Sequence, residues 1–268
     1  MNYKTIEFRT DARGVAWLTL NRPELKNAMN GDMYDEARAV VAAVDRDPAV
    51  RALVLSGNGD AFCSGGDFKY QQAQKLRKPS ERIAEASKLA SWLQELDQLS
   101  KPLVGRINGT AYGGGVGLVS VCDIVIAPAD VRFCLSEVSL GLVAGMIAPY
   151  VVRKMGVSNA RSVFLNAAVF KSAEAFRFGL VHEVVERDAL DAAVERQLTA
   201  ILRCAPGAIA TTKQLIDYVD RHDARTNYTH TIDRVAEMWA SEEAEEGINS
   251  FLEKRRPAWV EAQTKGDA

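Results

Sequence analysis

An α/β core followed by a helical C-terminal region is the fold class this sequence predicts, and three observations predict it. From residue 6 to about residue 145, short β-branched runs alternate with stretches whose apolar residues recur at helical spacing. Beyond Gly145 only helical patterns continue, the order expected of an α/β core with a helical appendage. With 268 residues, 47% apolar and 25% charged, the chain is long enough to bury one large core.

In order along the chain, residues 6–9 and 15–20 read as a hairpin around Asp11-Ala12-Arg13-Gly14. Asn21-Arg22-Pro23 closes its second strand, because proline cannot donate to a ladder. Residues 30–44 place Met33, Ala37, Val40, Val41 and Val44 on one helical face, and residues 50–56 form a buried strand ended by Gly57-Asn58-Gly59-Asp60. The polar, lysine-rich residues 71–79 read either as a loop or as a short helix. A helix is expected over 80–99, a strand over 103–107, and a small-residue helix from Gly113 to about Cys122. Strands follow at 123–127 and 132–135, then helices at 146–155, 159–165 and 172–178. The last carries an imperfect capping box, with Glu174 one position early relative to Ser172. Longer helices are expected over 188–203, 206–220 and 228–251, the last with a break near Ser241 and a weak point at Gly247. Pro257-Ala258-Trp259-Val260 begins a tail without a pattern, and Gly266-Asp267-Ala268 is expected to fray.

The charge balance, 33 Lys and Arg against 35 Asp and Glu, offers no global attraction to nucleic acid or to an anionic membrane. No apolar run has membrane-spanning length, and the Met1-Asn2-Tyr3-Lys4 start has no signal-peptide core. Cys63, Cys122, Cys134 and Cys204 lie far apart, as free thiols of a reducing, cytoplasmic compartment do. Neither they nor His182, His222 and His230 have zinc-ligand spacing; His182 reads as structural.

Chemistry concentrates in two glycine-rich turns that follow strands, Phe62-Cys63-Ser64-Gly65-Gly66-Asp67 and Asn108-Gly109-Thr110-Ala111-Tyr112-Gly113-Gly114-Gly115-Val116-Gly117. Such turns either aim N–H groups into a shared cavity or simply allow tight packing. Neither is a P-loop or a dinucleotide fingerprint, and no Gly-x-Ser-x-Gly elbow is present. Glu137 lies among apolar neighbours in Phe133-Cys134-Leu135-Ser136-Glu137-Val138. Burial there raises a carboxyl pKa and suits it to proton transfer; solvation or an ion pair is the alternative. Asp67 reads as a helix cap and Asp123 as a local support for the preceding helix end.

At these residues the chain resembles the crotonase superfamily of enoyl-CoA hydratases and isomerases, from about Val15 to Arg255. The resemblance is carried by Leu20-Asn21-Arg22-Pro23 with Asn27-Ala28, Ser64-Gly65-Gly66-Asp67, Asn108-Gly109 with Gly113-Gly114-Gly115, Cys122-Asp123, Glu137, and residues 175–180. It implies a crotonase (ClpP-like) ββα spiral over residues 1–200, with a helical trimerisation region over 201–268 and assembly as a homotrimer or homohexamer. It also implies an oxyanion hole from the Gly66 and Gly114 N–H groups, opposite the catalytic Glu137. No tightly bound cofactor is implied; coenzyme A enters as part of an acyl-CoA substrate. Positions matching its binding site are Glu24, Leu25, Lys26 and Lys69, with Phe251 and Lys254 matching positions that complete the site, sometimes from a neighbouring subunit. Residues 71–79 match the cover of the acyl pocket, whose size depends on Phe62, Tyr70, Trp92 and Met146.

One departure bears on the reaction. Hydratases of this superfamily carry a first glutamate where this chain has Gly117, so only the second, Glu137, remains. A single glutamate suits a double-bond isomerase. The local pattern is closer to hydratases of branched glutaconyl-CoA substrates, which share the missing residue, and this favours hydration. Val143-Ala144-Gly145 also replaces the usual Pro-Gly-Gly. A non-catalytic scaffold or RNA-associated protein of the same fold is the third reading; the near-neutral charge argues against RNA.

Overall fold

The computed structural model describes residues 3–260. The hairpin forms as β1 (Ile6–Thr10) and β2 (Val15–Leu20), paired antiparallel from Ile6–Leu20 to Thr10–Ala16. Asp11 shapes its turn, accepting from the Arg13 and Val15 amides at 3.0 Å each. A short 3-10 turn over Pro23–Leu25 leads to α1 (Gly31–Arg46), whose N-cap Asn30 accepts from the Met33 amide at 3.0 Å. Then follow β3 (Ala52–Gly57), β4 (Ala61–Cys63), α2 (Phe68–Gln74) and α3 (Pro79–Asp97). The next turn of chain is β5 (Leu103–Arg106), β6 (Thr110–Tyr112) and α4 (Gly114–Val121); another is β7 (Ile124–Pro128), β8 (Arg132–Cys134) and α5 (Ala148–Phe164). After these come β9 (Phe170–Lys171), α6 (Ser172–Arg177), β10 (Glu183–Val185) and α7 (Leu190–Leu202). The chain continues as α8 (Pro206–Arg221), α9 (Ala224–Trp239) and α10 (Glu242–Leu252).

Each unit sends one strand to a six-stranded sheet, ordered β1-β2-β3-β5-β7-β10, and a short strand to a four-stranded sheet, ordered β4-β6-β8-β9. All pairs from β2 to β10 in the large sheet are parallel. Met29, which bridges Gly66, takes the small sheet's place in the first unit. The result is the ββα spiral of the crotonase fold. The large sheet is covered on both faces, which is why β3 is buried along its whole length and reads as a continuous apolar run. One face packs Leu18, Leu53 and Leu55 against α1, α3 and α4; the other packs Ala52, Val54, Val104 and Ile126 beneath Leu190, Val194 and Leu198 of α7.

Several expectations need correction. Strands do not stop at residue 145: β9 and β10 lie beyond it, and β10 completes the large sheet beside β7. The short strands β4 and β6 escape a periodicity reading because three residues carry less than two periods. Of the two readings of residues 71–79, the short helix holds for their first part, the end of α2, and a turn leads from it to α3 at Pro79. The α6 N-cap is Lys171, not Ser172, so Glu174 stands at the third helical position and accepts from the Lys171 amide at 3.1 Å. Ser172 instead donates its hydroxyl to the Pro128 carbonyl at 2.5 Å. Asp123 does not support the end of α4; it accepts from the Leu103 amide and from Lys213 Nζ, both at 2.7 Å. The helices expected over 146–155 and 159–165 are the two arms of α5, kinked where Gly156 takes φ 73°. The fraying expected at Gly266-Asp267-Ala268 falls outside the described residues. His182 is structural, as read from the sequence: its Nδ1 accepts from the Val125 amide at 2.9 Å, and desolvation beside Lys154 lowers its pKa to about 4.

Leu198 is fully buried beneath the sheet. Leu198→Ala is expected to cost about 2–5 kcal/mol in urea unfolding, at an unchanged denaturant slope.

Candidate functional site

The two glycine turns meet at the ends of β4 and β6, neighbours in the small sheet. The loop after β2 holds them there. Asn27, fully buried with φ 56°, accepts from the Arg22 amide at 2.8 Å and donates to the Asn58 and Ala61 carbonyls at 2.9 Å each. Arg22 donates to the Ala28 carbonyl at 2.5 Å and pairs with Asp67 at 2.9 Å. Asp67 caps α2, as its sequence context predicts, accepting from the Lys69 and Tyr70 amides. These bonds hold its carboxyl below the usual carboxylate range in spite of desolvation, the largest influence on it.

The Met29 amide donates to the Gly65 carbonyl, and the Asp67 amide donates to the Met29 carbonyl, both at 2.8 Å. The Gly66 N–H between them is therefore left over. Gly113, at φ 50° and ψ −120°, turns the chain so that Gly114 opens α4 with its own N–H pointing away from any earlier carbonyl. Among the described residues neither N–H has an intramolecular acceptor. The turns are in close contact: a Cβ built on Gly65 would stand 3.7 Å from the Gly114 nitrogen, and one built on Gly114 would stand 2.4 Å from Met29 Cε.

Glu137 opens a 3-10 turn, Glu137–Leu140, directly after β8, and β8 pairs with β6. Its carboxyl lies over Gly113, where a Cβ would meet Oε1 at 2.9 Å. The side chain is half-buried, and Oε2 is buried without a hydrogen-bond partner among the described residues. Burial pushes its pKa up. A buried carboxyl oxygen with no partner is costly to retain, and it stands beside two unused N–H groups. Two convergent donors can hold an oxygen on which negative charge develops, while a carboxylate of raised pKa moves a proton nearby.

Position 117 lies one turn into α4, and a Cβ there would meet Ile147 Cγ2 at 2.2 Å and Ile147 Cβ at 2.9 Å; Ile147 is almost fully buried. The missing carboxylate is thus replaced by an isoleucine wall from the start of α5, a substitution of space that no local pattern announces. The sequence reading gave Gln71 only as the start of the 71–79 cover; the structure puts its side-chain amide 2.1 Å from where a Gly66 Cβ would stand. Its position on the first turn of α2 was the available signal.

The other expected residues distribute as follows. Glu24, Leu25 and Lys26 form the exposed 3-10 turn beside the first glycine turn, with the Ser64 amide donating to the Lys26 carbonyl at 3.0 Å. Lys69 is exposed on the first turn of α2, two residues past the Asp67 cap. These four therefore flank one edge of the site. Phe251, 81% exposed, ends α10, and Lys254 follows it; no hydrogen bond or ion pair among the described residues joins either to that edge. Of the four pocket-size residues, Phe62 and Trp92 are fully buried in the core, while Met146 is exposed. Tyr70 is half-buried and donates its hydroxyl to Glu85, which Arg77 also holds at 2.8 Å.

Two variants test this geometry by stability. A carboxyl of raised native pKa binds more protons folded than unfolded, so its contribution is greatest below the unfolded pKa and is lost as pH rises through the folded value. Glu137→Gln removes that loss: its Tm is expected to exceed that of the wild type at pH 8, with the difference vanishing towards pH 4. Gly117→Glu drives a side chain into Ile147 and is expected to destabilise by about 1–3 kcal/mol, a cost reduced in the Gly117→Glu/Ile147→Ala pair.

Comparison with known proteins agrees with this arrangement. Residues 10–263 match the enoyl-CoA hydratase/isomerase family. Mevalonyl-coenzyme A hydratase of Aspergillus fumigatus is 33% identical over 249 residues, 91% of each chain. Among solved structures, AtuE of Pseudomonas aeruginosa is 39% identical with a TM-score of 0.92, covering 96% of this chain and all of that one. An enoyl-CoA hydratase of Shewanella pealeana is 34% identical, also at 0.92, over 96% of each chain. A spiral matched from end to end in this way places the chain in the enoyl-CoA hydratase/isomerase family of the crotonase superfamily, as an acyl-CoA enzyme of the lyase type.

Proposed function

We propose that the protein hydrates a 2-enoyl-CoA thioester bearing a branched, methylglutaconyl-type acyl group. The observation that carries this reading is the buried, partnerless Oε2 of Glu137 beside the unpaired Gly66 and Gly114 amides. The two N–H groups hold the thioester oxygen, whose charge grows as the enolate forms, and this is where preorganised donors lower a barrier most. Glu137 takes a proton from water as the water oxygen attacks C3. The electron pair of the C2–C3 bond moves to the thioester oxygen, and the enolate then collapses as C2 takes the proton from Glu137. One water is added, and the glutamate returns to its ionised form.

Ile147 fills the space beside Gly117, the position of the first glutamate in hydratases with two, so that carboxylate has no counterpart there to hold the water. A carboxylate on the substrate supplies the missing acceptor, which is the reason for preferring a glutaconyl-type acyl group. A relative named for mevalonyl-coenzyme A, a methyl-branched thioester, supports the branching. The same apolar wall favours one other reading, a double-bond isomerase in which Glu137 carries a proton from C2 to C4.

Coenzyme A lies in this reading along the turn of Glu24, Leu25 and Lys26 and beside Lys69, with Phe251 and Lys254 closing its far end from this or a neighbouring subunit. Assembly as a homotrimer or homohexamer through the region beyond residue 200 is supported by α8 and α9. These helices bury no side chain fully and expose Ile216, Tyr228, Ile232 and Trp239. Four cysteines held as thiols fit a cytoplasmic location, and no helix among the described residues is long and apolar enough to cross a membrane.

Incubation with 2-enoyl-, 3-enoyl- and 3-methylglutaconyl-CoA, read by mass spectrometry, separates the readings: hydration adds one water, isomerisation leaves the mass unchanged. The methylglutaconyl ester is expected to gain water fastest. Glu137→Gln is expected to lower kcat by about 10²–10⁴-fold. The acid limb of kcat/KM for the wild type is expected above the ordinary carboxylate range, since the base must be ionised and its pKa is raised. Turnover by Glu137→Gln at the wild-type rate rejects both mechanisms.

A further inference from the structure

We propose that Gln71 is a third donor to the thioester oxygen, its side-chain N–H groups completing the hole formed by the Gly66 and Gly114 amides. The proposal rests on the oxyanion reading of those two amides and adds a residue to it.

Four observations place Gln71 there. Its Nε2 occupies the space beside Gly66 that a side chain at position 66 would fill, 2.1 Å from the built Cβ, with Cδ at 3.0 Å. Its backbone is fixed, because the Gln71 amide donates to the Asp67 carbonyl at 2.8 Å in the first turn of α2. That turn is capped by Asp67, which Arg22 holds, and the next side chain, Tyr70, is tied to Glu85 on α3. The carboxamide itself makes no hydrogen bond among the described residues, although Gln74, one turn later, donates to the Tyr70 carbonyl at 3.1 Å. The helix is therefore anchored through its backbone and its neighbours, and the Gln71 carboxamide is left unbonded among the described residues in the space beside the Gly66 Cα.

A carboxamide carries two N–H donors, and rotation about its last bond presents either to an oxygen bound at Gly66. The C=O end would repel the developing negative charge, so the bound enolate itself selects the donor orientation. The arrangement also accounts for glycine at position 66: any side chain there would expel Gln71 from the hole. As an exposed group Gln71 is worth less than a buried amide, for which loss costs about 10²–10³ in kcat.

The test is the enolate content of bound acetoacetyl-CoA, whose acidic C2 yields an enolate that absorbs in the near ultraviolet. Its fraction is titrated against pH on the wild type, Gln71→Met, Gln71→Glu and, as a control at an exposed position of α3, Arg82→Met. None removes a side-chain hydrogen bond seen among the described residues. The enolate equilibrium constant is expected to fall about tenfold in Gln71→Met, with kcat falling in step and KM little changed. It is expected to fall further in Gln71→Glu, where a carboxylate replaces the donor, while Arg82→Met follows the wild type. Equal enolate content in the wild type and Gln71→Met overturns the role of Gln71 and leaves the two glycines standing. Wild-type protein that binds the ligand with no more enolate than free solution overturns the oxyanion reading, and Gln71 with it.

Discussion

Asn27 and the Arg22–Asp67 pair hold the working end of this molecule in place. Three chain segments converge where β2, β4 and the first glycine turn end, and each brings backbone groups that no ladder satisfies. The Asn27 side chain takes one donor and two carbonyls from two of these segments; Arg22 ties Asp67 to the carbonyl of Ala28. Buried backbone groups must be paired, so this junction has few alternative geometries. The left-handed φ of Asn27, where asparagine is better tolerated than most side chains, is part of the same constraint.

The chemistry inherits its precision from that junction. With Met29 exchanging bonds on either side of Gly66, and Gly113 reversing the chain before α4, two amides are left over side by side. Glu137 reaches the same place from β8, one strand along the small sheet. Three short strands therefore deliver the two turns and the acid to adjacent positions, at the ends of rigid elements.

Ile147 occupies the space beside Gly117. In superfamily members with two glutamates a carboxylate stands at the position of Gly117. Here the glycine admits a branched side chain from the start of α5, so the space of that carboxylate is filled by an apolar group. The raised carboxyl pKa of Glu137 comes from its burial.

By itself the sequence determined the α/β order, the long helices and most strands of the large sheet, because β-branched runs and helical periodicity are local properties. It also carried Gly66, Gly114 and Glu137 as a recognisable set, with the cap at Asp67 and the structural His182. Tertiary structure decided the rest. The three-residue strands of the small sheet are too short to have a period and exist only through their partners; β10 likewise joins β7 across a long intervening stretch of chain. The occupation of the Gly117 space by Ile147, and the placing of Gln71 over Gly66, are contacts between surfaces that composition and spacing do not encode. Local pattern sets what each segment can form. Only packing sets which atoms face one another, and it is packing that leaves the Oε2 of Glu137 buried without a hydrogen-bond partner among the described residues.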